Sequence, residues 1–214
     1  MDRLPRGRHG LSPEYVAQHQ RERLIAALTE VLYEVGYEET TVSLIGRRAA
    51  VSKSDFYKHF SSKDECFYAA YDAAIDRLRG QVAAACRRDR EAQWPPRVRD
   101  ALSALLAALA TDPPLAAISL VEGLRAGPGV YDRYQAALES FAGCLREGAP
   151  LAPDGAEVPP AADEAIVGGI ASLLGRRVLA GEAAGIAQLE SQVVEFALTP
   201  YVGTDEARRI GSGR

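Results

Sequence analysis

Hydrogen-bond donors and positive charges are concentrated in one short segment of this chain. Within eleven residues the segment carries Lys53, Ser54, Tyr57, Lys58, His59 and Lys63. Ammonium, hydroxyl and imidazole groups donate hydrogen bonds to phosphate oxygens and to the acceptors on base edges in the major groove of DNA. These residue types therefore favour binding to a polyanion.

Apolar residues are interleaved with this polar segment at helical spacing. Phe56 and Phe60 are one turn apart, and the preceding stretch supplies Leu44, Ile45, Ala49 and Val51. We expect these side chains to pack two short helices against a third. The polar residues of the later helix would then point outward, as insertion into a major groove requires.

Capping residues define the helices that position the segment. Ser12 precedes Pro13, Thr41 precedes the first short helix, and Ser52 and Ser62 each begin a capping box. These signals predict short helices after residues 41 and 52 and a long helix from about 63 to 88. The first helix is predicted to stop at Gly36 and to bury a stripe formed by Leu24, Leu28, Val31, Leu32 and Val35.

The run from Thr40 to Phe60 resembles the DNA-binding domain of the TetR family of bacterial regulators. The matching features are the Thr41 cap, the turn from Ala49 to Ser52, the Phe56-Tyr57 pair, Phe60, Lys63 and the earlier Gly36-Tyr37. The resemblance covers about residues 20–72. It implies an all-α fold, with a three-helix helix-turn-helix domain followed by a larger helical domain for ligand binding and dimerisation. The implied boundaries are 1–19 (a flexible basic arm and the start of the first helix), 20–72 and 73–214.

Two positions depart from the family pattern, which has Ala in place of Gly46 and Gly in place of Ala50. A glycine inside a helix costs about 0.5–1 kcal/mol relative to alanine. Ala50 is predicted to be strained if the turn requires a positive φ. Both changes affect the turn and leave the polar face intact.

The resemblance also implies roles for individual residues. Lys53, Ser54 and His59 would meet base edges, and Tyr57 and Lys63 would bind phosphates. The full implied DNA-binding set is Thr41, Ser43, Ser52, Lys53, Ser54, Tyr57, Lys58, His59 and Lys63. Structural alternatives stay open: a solvated Lys58, a packing role for Tyr57, a surface histidine at 59, and a disordered arm at Arg3, Arg6, Arg8 and His9. Asp55 is expected to cap its helix, and Arg47 and Arg48 to be solvated helix-end charges.

Beyond Pro95-Pro96, which is expected to break the chain, helices are predicted near 97–110, 114–125, 130–147, 161–180 and 185–199. Residues 148–160 are predicted to form a loop, and Pro200 to close the last helix. A TetR-like protein would line a pocket for a mostly apolar effector with Phe67, Tyr71, Trp94, Ile118, Tyr131, Tyr134 and Phe141, although ordinary core packing is the alternative for each. It would pair its last helices with a second copy through Ile166, Ile170, Leu173, Leu174, Leu189, Val193 and Phe196.

Composition narrows the class of protein. Residues 3–63 hold ten Lys and Arg against seven Asp and Glu, whereas residues 64–214 hold fifteen against twenty-one. Only the first part therefore favours a polyanion. Three cysteines and no signal-peptide pattern predict a soluble cytoplasmic protein that does not enter a membrane.

Two rival functions remain, a helical-bundle enzyme and an adaptor that binds only protein. The sequence has no Glu-x-x-His pair, no Cys-x-x-Cys and no phosphate-binding Gly-x-x-x-x-Gly-Lys. We therefore expect no catalytic residues, metal or cofactor. The expected partners are a double-stranded DNA operator, a second copy of the chain and a small-molecule effector. The expected function is a repressor that an effector releases from a palindromic operator.

Overall fold

The structure is a computed structural model that describes residues 12–88, 93–123, 128–146 and 158–213. Every regular element in these ranges is helical, so the all-α prediction is confirmed. The chain divides into two compact units, with the boundary between Ala73 and Ala74.

Helix caps fix the elements of the N-terminal unit, which are α1 (Pro13–Glu39), α2 (Val42–Ala49), α3 (Lys53–His59) and the first part of α4 (Lys63–Arg88). The side-chain oxygens of Ser12, Thr41, Ser52 and Ser62 each accept a hydrogen bond from the backbone N–H three residues later, at 3.0–3.2 Å. Each bond satisfies a donor that the first turn of a helix leaves free. The four predicted caps are therefore confirmed.

The apolar stripe of α1 forms the centre of this unit, together with Ile45, Phe56, Phe60 and Phe67, all of which are buried. The predicted stripe is wrong at its last position, because Val35 is exposed. The helical path is interrupted at Gly36, whose φ of 77° is readily adopted only by glycine, and one further turn follows. The buried stripe of α1 therefore ends at Leu32.

In the described residues the C-terminal unit contains the rest of α4 and eight further elements, two of which are irregular. They are α5 (Trp94–Thr111), α6 (Pro113–Ala117), a π-helical turn (Ile118–Glu122), α7 (Pro128–Arg146), α8 (Ala162–Leu179), a 3-10 segment (Ala183–Leu189), α9 (Glu190–Val202) and α10 (Thr204–Gly211). Trp94 packs edge-on against Tyr201, with 5.2 Å between ring centroids. Arg77 of α4 binds Asp112 at 2.6 Å, which ties this helix to the start of α6.

The predicted helices are present, except that residues 118–122 form a π-helical turn and residues 183–189 a 3-10 segment, and two proline-based predictions are wrong. Pro95 and Pro96 lie in the first turn of α5, where a missing N–H is tolerated, so the helix begins at Trp94. Pro200 lies inside α9, which continues to Val202. Tyr201, which follows the proline in the last turn, is buried. The last helix, α10, was not predicted.

Residues 158–160 are not helical, and the rest of the predicted loop at 148–160 lies outside the described residues. None of the described helices can by itself cross a bilayer, by length and apolar character. Only α5 together with residues 113–122 meets that criterion as a pair, across a bend of 111°.

Candidate nucleic-acid interface

Helix α3 has two chemically different sides. Phe56 and Phe60 are buried, and their rings lie 5.7 Å apart between centroids. On the opposite side Lys53, Ser54, Tyr57 and Lys58 are exposed, and the Tyr57 side chain is half exposed, at 50%. The structure therefore brings four of the predicted contact residues together on one polar surface.

Asp55 organises the start of α3. Its carboxylate accepts a hydrogen bond from Ser52 Oγ at 2.7 Å and forms an ion pair with Lys58 Nζ, also at 2.7 Å. Lys58 and Ser52 together hold the pKa of Asp55 below its usual range. Asp55 thus belongs to the cap and not to the contact surface, as predicted. Because the Lys58 pair is exposed, its contribution to stability is small, and the ammonium can exchange partners cheaply.

His59 differs from the other predicted contacts because it faces α1. Its Nε2 lies 3.1 Å from Oε1 of Gln20, and the ring is partly buried. Burial lowers the pKa of His59, with Arg21 and Lys58 acting in the same direction and Asp55 opposing them. His59 is therefore engaged with the protein's own first helix.

Lys63, the first residue of α4, is also engaged within the unit. Its Nζ donates to the backbone oxygen of Tyr37 at 2.9 Å and lies 4.1 Å from the centroid of the Tyr37 ring. The Tyr37 hydroxyl donates to Asp64, and burial raises the pKa of that hydroxyl. These contacts join the end of α1 to the start of α4, a role for Lys63 that the sequence did not indicate.

Thr41, which caps α2, and Ser43 are exposed to solvent. Both side chains are therefore accessible, as their predicted contacts with the DNA backbone require. Arg48 is an exposed charge at the end of α2, as expected, and it also pairs with Glu30 at 2.9 Å and Glu34 at 2.6 Å on α1. Arg47 is exposed and forms no ion pair with any described residue. The two neighbouring arginines therefore have different roles.

The turn between α2 and α3 contains both departures from the family pattern, and its packing accounts for Gly46 but not for Ala50. Ala50 has φ 50° and ψ 45°, which is the left-handed conformation that favours glycine. A β-carbon at Gly46 would lie 2.7 Å from the carbonyl oxygen of Val51. Close packing of the turn thus favours glycine at position 46. This steric effect outweighs the helix-propensity cost of glycine that the sequence predicts.

Three residues at the start of α1 contact the helix-turn-helix and were missed by the sequence patterns. Besides the Gln20–His59 contact, the guanidinium of Arg21 lies 4.9 Å from the centroid of the Phe60 ring. Arg23 donates to the carbonyl oxygen of Ala49, the last residue of α2. No local motif marks these contacts, because each joins residues more than 25 positions apart. The arginines of the arm, Arg3, Arg6 and Arg8, and His9 lie outside the described residues.

The predicted effector residues are distributed between the two units. Phe67 and Tyr71 are buried in the N-terminal unit, and Trp94 and Ile118 in the C-terminal unit. Tyr134 and Phe141 are partly buried, whereas Tyr131 is exposed. The Tyr131 hydroxyl accepts a hydrogen bond from Gln135 at 2.6 Å.

The predicted dimer residues also separate into two groups. Ile166, Ile170, Leu174 and Val193 are buried inside the protomer, so as interface residues they are corrected to core residues. Leu173 and Leu189 are partly buried, and Phe196 is 53% exposed. The Phe196 ring lies across Gly169, 3.6 Å from the position that a β-carbon would occupy there.

A family model described as bacterial regulatory proteins of the tetR family matches residues 24–70, which span α2, α3 and the adjoining parts of α1 and α4. The match assigns these residues, which include the polar face of α3, to a domain similar to the DNA-binding domain of that family. The resemblance predicted from the sequence is confirmed over this range.

A curated relative of this domain is the HTH-type transcriptional activator FasR of Mycolicibacterium smegmatis. It is 33% identical over 86 residues, which are 40% of this chain and 39% of FasR. The match therefore spans about two fifths of either protein, well short of the whole chain.

The fold extends the likeness to nearly the whole chain. The fatty acid degradation regulator FadR from Bacillus halodurans matches with a TM-score of 0.73 at 16% identity, over 90% of this chain and 97% of FadR. FadR from Bacillus subtilis, in a complex with stearoyl-CoA, matches with a TM-score of 0.70 at 19% identity, over 85% and 98%. At these identities the likeness shows that the two FadR chains share this fold.

Proposed function

We propose that this chain is a sequence-specific transcriptional repressor of the TetR family that binds a palindromic operator as a homodimer. The observation that carries the proposal is the two-sided character of α3. Buried Phe56 and Phe60 hold the helix, while Lys53, Ser54, Tyr57 and Lys58 offer donors and charge to a major groove.

The contact roles follow from exposure and chemistry. Lys53 and Ser54, at the N-terminal end of α3, are the residues best placed to meet base edges, because recognition helices contact bases with their first turns. The Tyr57 hydroxyl and the Lys58 ammonium would bind phosphates. Thr41 and Ser43 would support the DNA backbone from α2.

A dimer is proposed because one helix of seven residues reads too few bases for a selective operator. Two-fold symmetry matches two half-sites about 34–36 Å apart, or a multiple of that spacing. After the correction of the buried residues, the proposed contact surface consists of Phe196 with the partly buried Leu173 and Leu189. A half-exposed aromatic side chain is typical of such surfaces.

The proposed effector is a small, mostly apolar molecule bound by the C-terminal unit. Support comes from the buried aromatic and aliphatic residues of that unit, among them Trp94 and Ile118. A structural neighbour, FadR of Bacillus subtilis, has stearoyl-CoA in its complex, so stearoyl-CoA is the first effector probe to use here. The relative FasR carries the name of an activator, so the direction of regulation needs its own measurement.

The deciding experiment selects duplexes from a random pool with the purified full-length chain and measures their affinity at several salt concentrations. We expect enrichment of a palindrome and a linear fall of log affinity with log salt. Stearoyl-CoA is then titrated into the complex, and transcription from the selected operator is measured with and without the protein. If no duplex is enriched, the proposed DNA-binding function is wrong. If transcription is higher with the protein than without it, the protein is an activator and not a repressor.

A further inference from the structure

We infer that the first turns of α1 set the position of the recognition helix, and that Gln20 is a specificity-determining positioning residue that acts through His59. The inference rests on the proposed DNA-binding function. Gln20, Arg21 and Arg23 all precede residues 24–70, the region that matches the family. Each of the three contacts a different part of the helix-turn-helix.

The contact between Gln20 and His59 holds the C-terminal end of α3. Oε1 of Gln20 can only accept, so the 3.1 Å contact is a hydrogen bond in the His59 tautomer that carries its proton on Nε2. His59 is the last residue of α3, and Phe60 closes the helix by donating its N–H to the oxygen of Phe56 at 3.0 Å. The far end of the recognition helix is therefore attached to α1 by a side-chain hydrogen bond.

The two arginines hold the remaining parts of the motif. Arg21 lies over the ring of the buried Phe60, at 4.9 Å from its centroid, which is a cation–π contact. Arg23 donates to the carbonyl oxygen of Ala49, one of the acceptors that the end of α2 leaves without a helical partner. A positive charge at this position also complements the dipole of α2.

Together these contacts hold the C-terminal end of α3 and the end of α2 that precedes it in the chain. α3 has only seven residues, and it follows a turn in which Ala50 occupies a strained conformation. A small rotation of α3 would move Lys53 and Ser54 relative to the base edges. Hydrogen bonds to bases tolerate such a shift poorly, whereas ionic contacts with phosphates depend less on angle.

The inference therefore predicts a loss of selectivity without a loss of electrostatic binding. Gln20→Ala removes the acceptor for His59, whereas Gln20→Glu retains one. Gln18→Ala is the matched control, because Gln18 is exposed on the same helix and bonds only to Glu22, at 2.8 Å, among the described contacts. His59→Ala and the double variant with Gln20→Ala complete a cycle.

The test measures the affinity of each variant for the duplex selected by the wild-type chain and for an unrelated duplex of equal length. Gln20→Ala is expected to lower the ratio of the two affinities by about three- to tenfold, the equivalent of one neutral hydrogen bond. Its affinity for the unrelated duplex and its salt slope should equal those of the wild type. Gln20→Glu and Gln18→Ala should keep the wild-type ratio, and the double variant should be no worse than either single variant.

The outcomes separate this inference from the proposed function. If the wild type selects a duplex and Gln20→Ala binds it with an unchanged ratio, the positioning role is wrong. A fall in both affinities with a shallower salt slope would contradict it too, because Gln20 would then lie at the DNA backbone. If the wild type selects no duplex at all, the proposed function itself fails.

Discussion

A β-carbon placed on Gly46 would stand 2.7 Å from the carbonyl oxygen of Val51, closer than such contacts can be. The same turn closes with a hydrogen bond from the Val51 N–H to the Gly46 oxygen at 2.9 Å. Backbone atoms occupy both sides of this contact, so neither can rotate away as a flexible side chain would.

Gly46→Ala is therefore expected to destabilise the chain, although alanine is the better helix former. Overpacking of this kind costs about 1–3 kcal/mol, more than the roughly 0.5–1 kcal/mol that alanine would gain in a helix. Urea unfolding of the full-length protein measures the difference. A variant as stable as the wild type would show that the turn adjusts without strain.

Ala50→Gly should have the opposite effect. Ala50 has a φ of 50°, where a side chain costs about 1–2 kcal/mol and glycine costs nothing sterically. After the larger entropy of glycine in the unfolded chain is subtracted, the free energy of unfolding should rise by about 0.5–1 kcal/mol. Ala26→Gly, at an exposed position inside α1, is the matched control and should lose about 1 kcal/mol. Equal effects of the two substitutions would contradict the strain at Ala50.

These two positions also mark how far the sequence predicts the fold. Caps such as Thr41 and Ser52 can be predicted from local sequence, because the side-chain oxygen bonds to an N–H only three residues away. The polar face of α3 follows from the same short range. By contrast, the requirement for Gly46 depends on where Val51 lies in space, and helix propensity alone predicts the wrong sign for its substitution.

The same distinction between local and long-range contacts applies to the candidate site. Lys53 and Tyr57 are exposed as their spacing indicates, but His59 turns to Gln20 and Lys63 to Tyr37, partners 39 and 26 positions away. The periodicity of a sequence identifies the apolar face of a helix. It does not show whether that face packs against the same protomer or against a second copy. For this reason Ile166, assigned to the dimer from the sequence, lies in the core of one protomer.

Tyr57→Phe tests the proposed phosphate contact. The ring is half exposed and packs edge-on against Phe56, with 5.4 Å between centroids, so loss of the hydroxyl should leave stability unchanged. Affinity should fall by about three- to tenfold for the selected duplex and for an unrelated one alike. Tyr33→Phe, at another exposed tyrosine of the N-terminal unit, serves as the control. A loss confined to the selected duplex would reassign Tyr57 to base recognition.

His59 should make the stability of the protein depend on pH in the mildly acidic range. Burial lowers the pKa of His59 in the folded chain from the ordinary value of about 6.5. Between 6.5 and that lower value the unfolded chain binds more protons, so the free energy of unfolding falls as the pH falls through this window. His59→Gln keeps an N–H donor for Gln20 and removes the titration. Its stability should be flatter between pH 7 and 5, and an unchanged slope would assign the dependence to another group.

Phe196→Asp tests the proposed dimer surface. Because the ring is 53% exposed and rests on Gly169, the substitution should cost one protomer little stability. In a dimer the same carboxylate would be buried next to its symmetry mate, so association should be lost. Sedimentation equilibrium is expected to give a dimer for the wild type and a monomer for the variant. Val35→Asp places the same charge on an exposed apolar position of the N-terminal unit and should remain dimeric. If Phe196→Asp still forms a dimer, the two copies meet through a different surface, and Leu173 and Leu189 lose their proposed role with it.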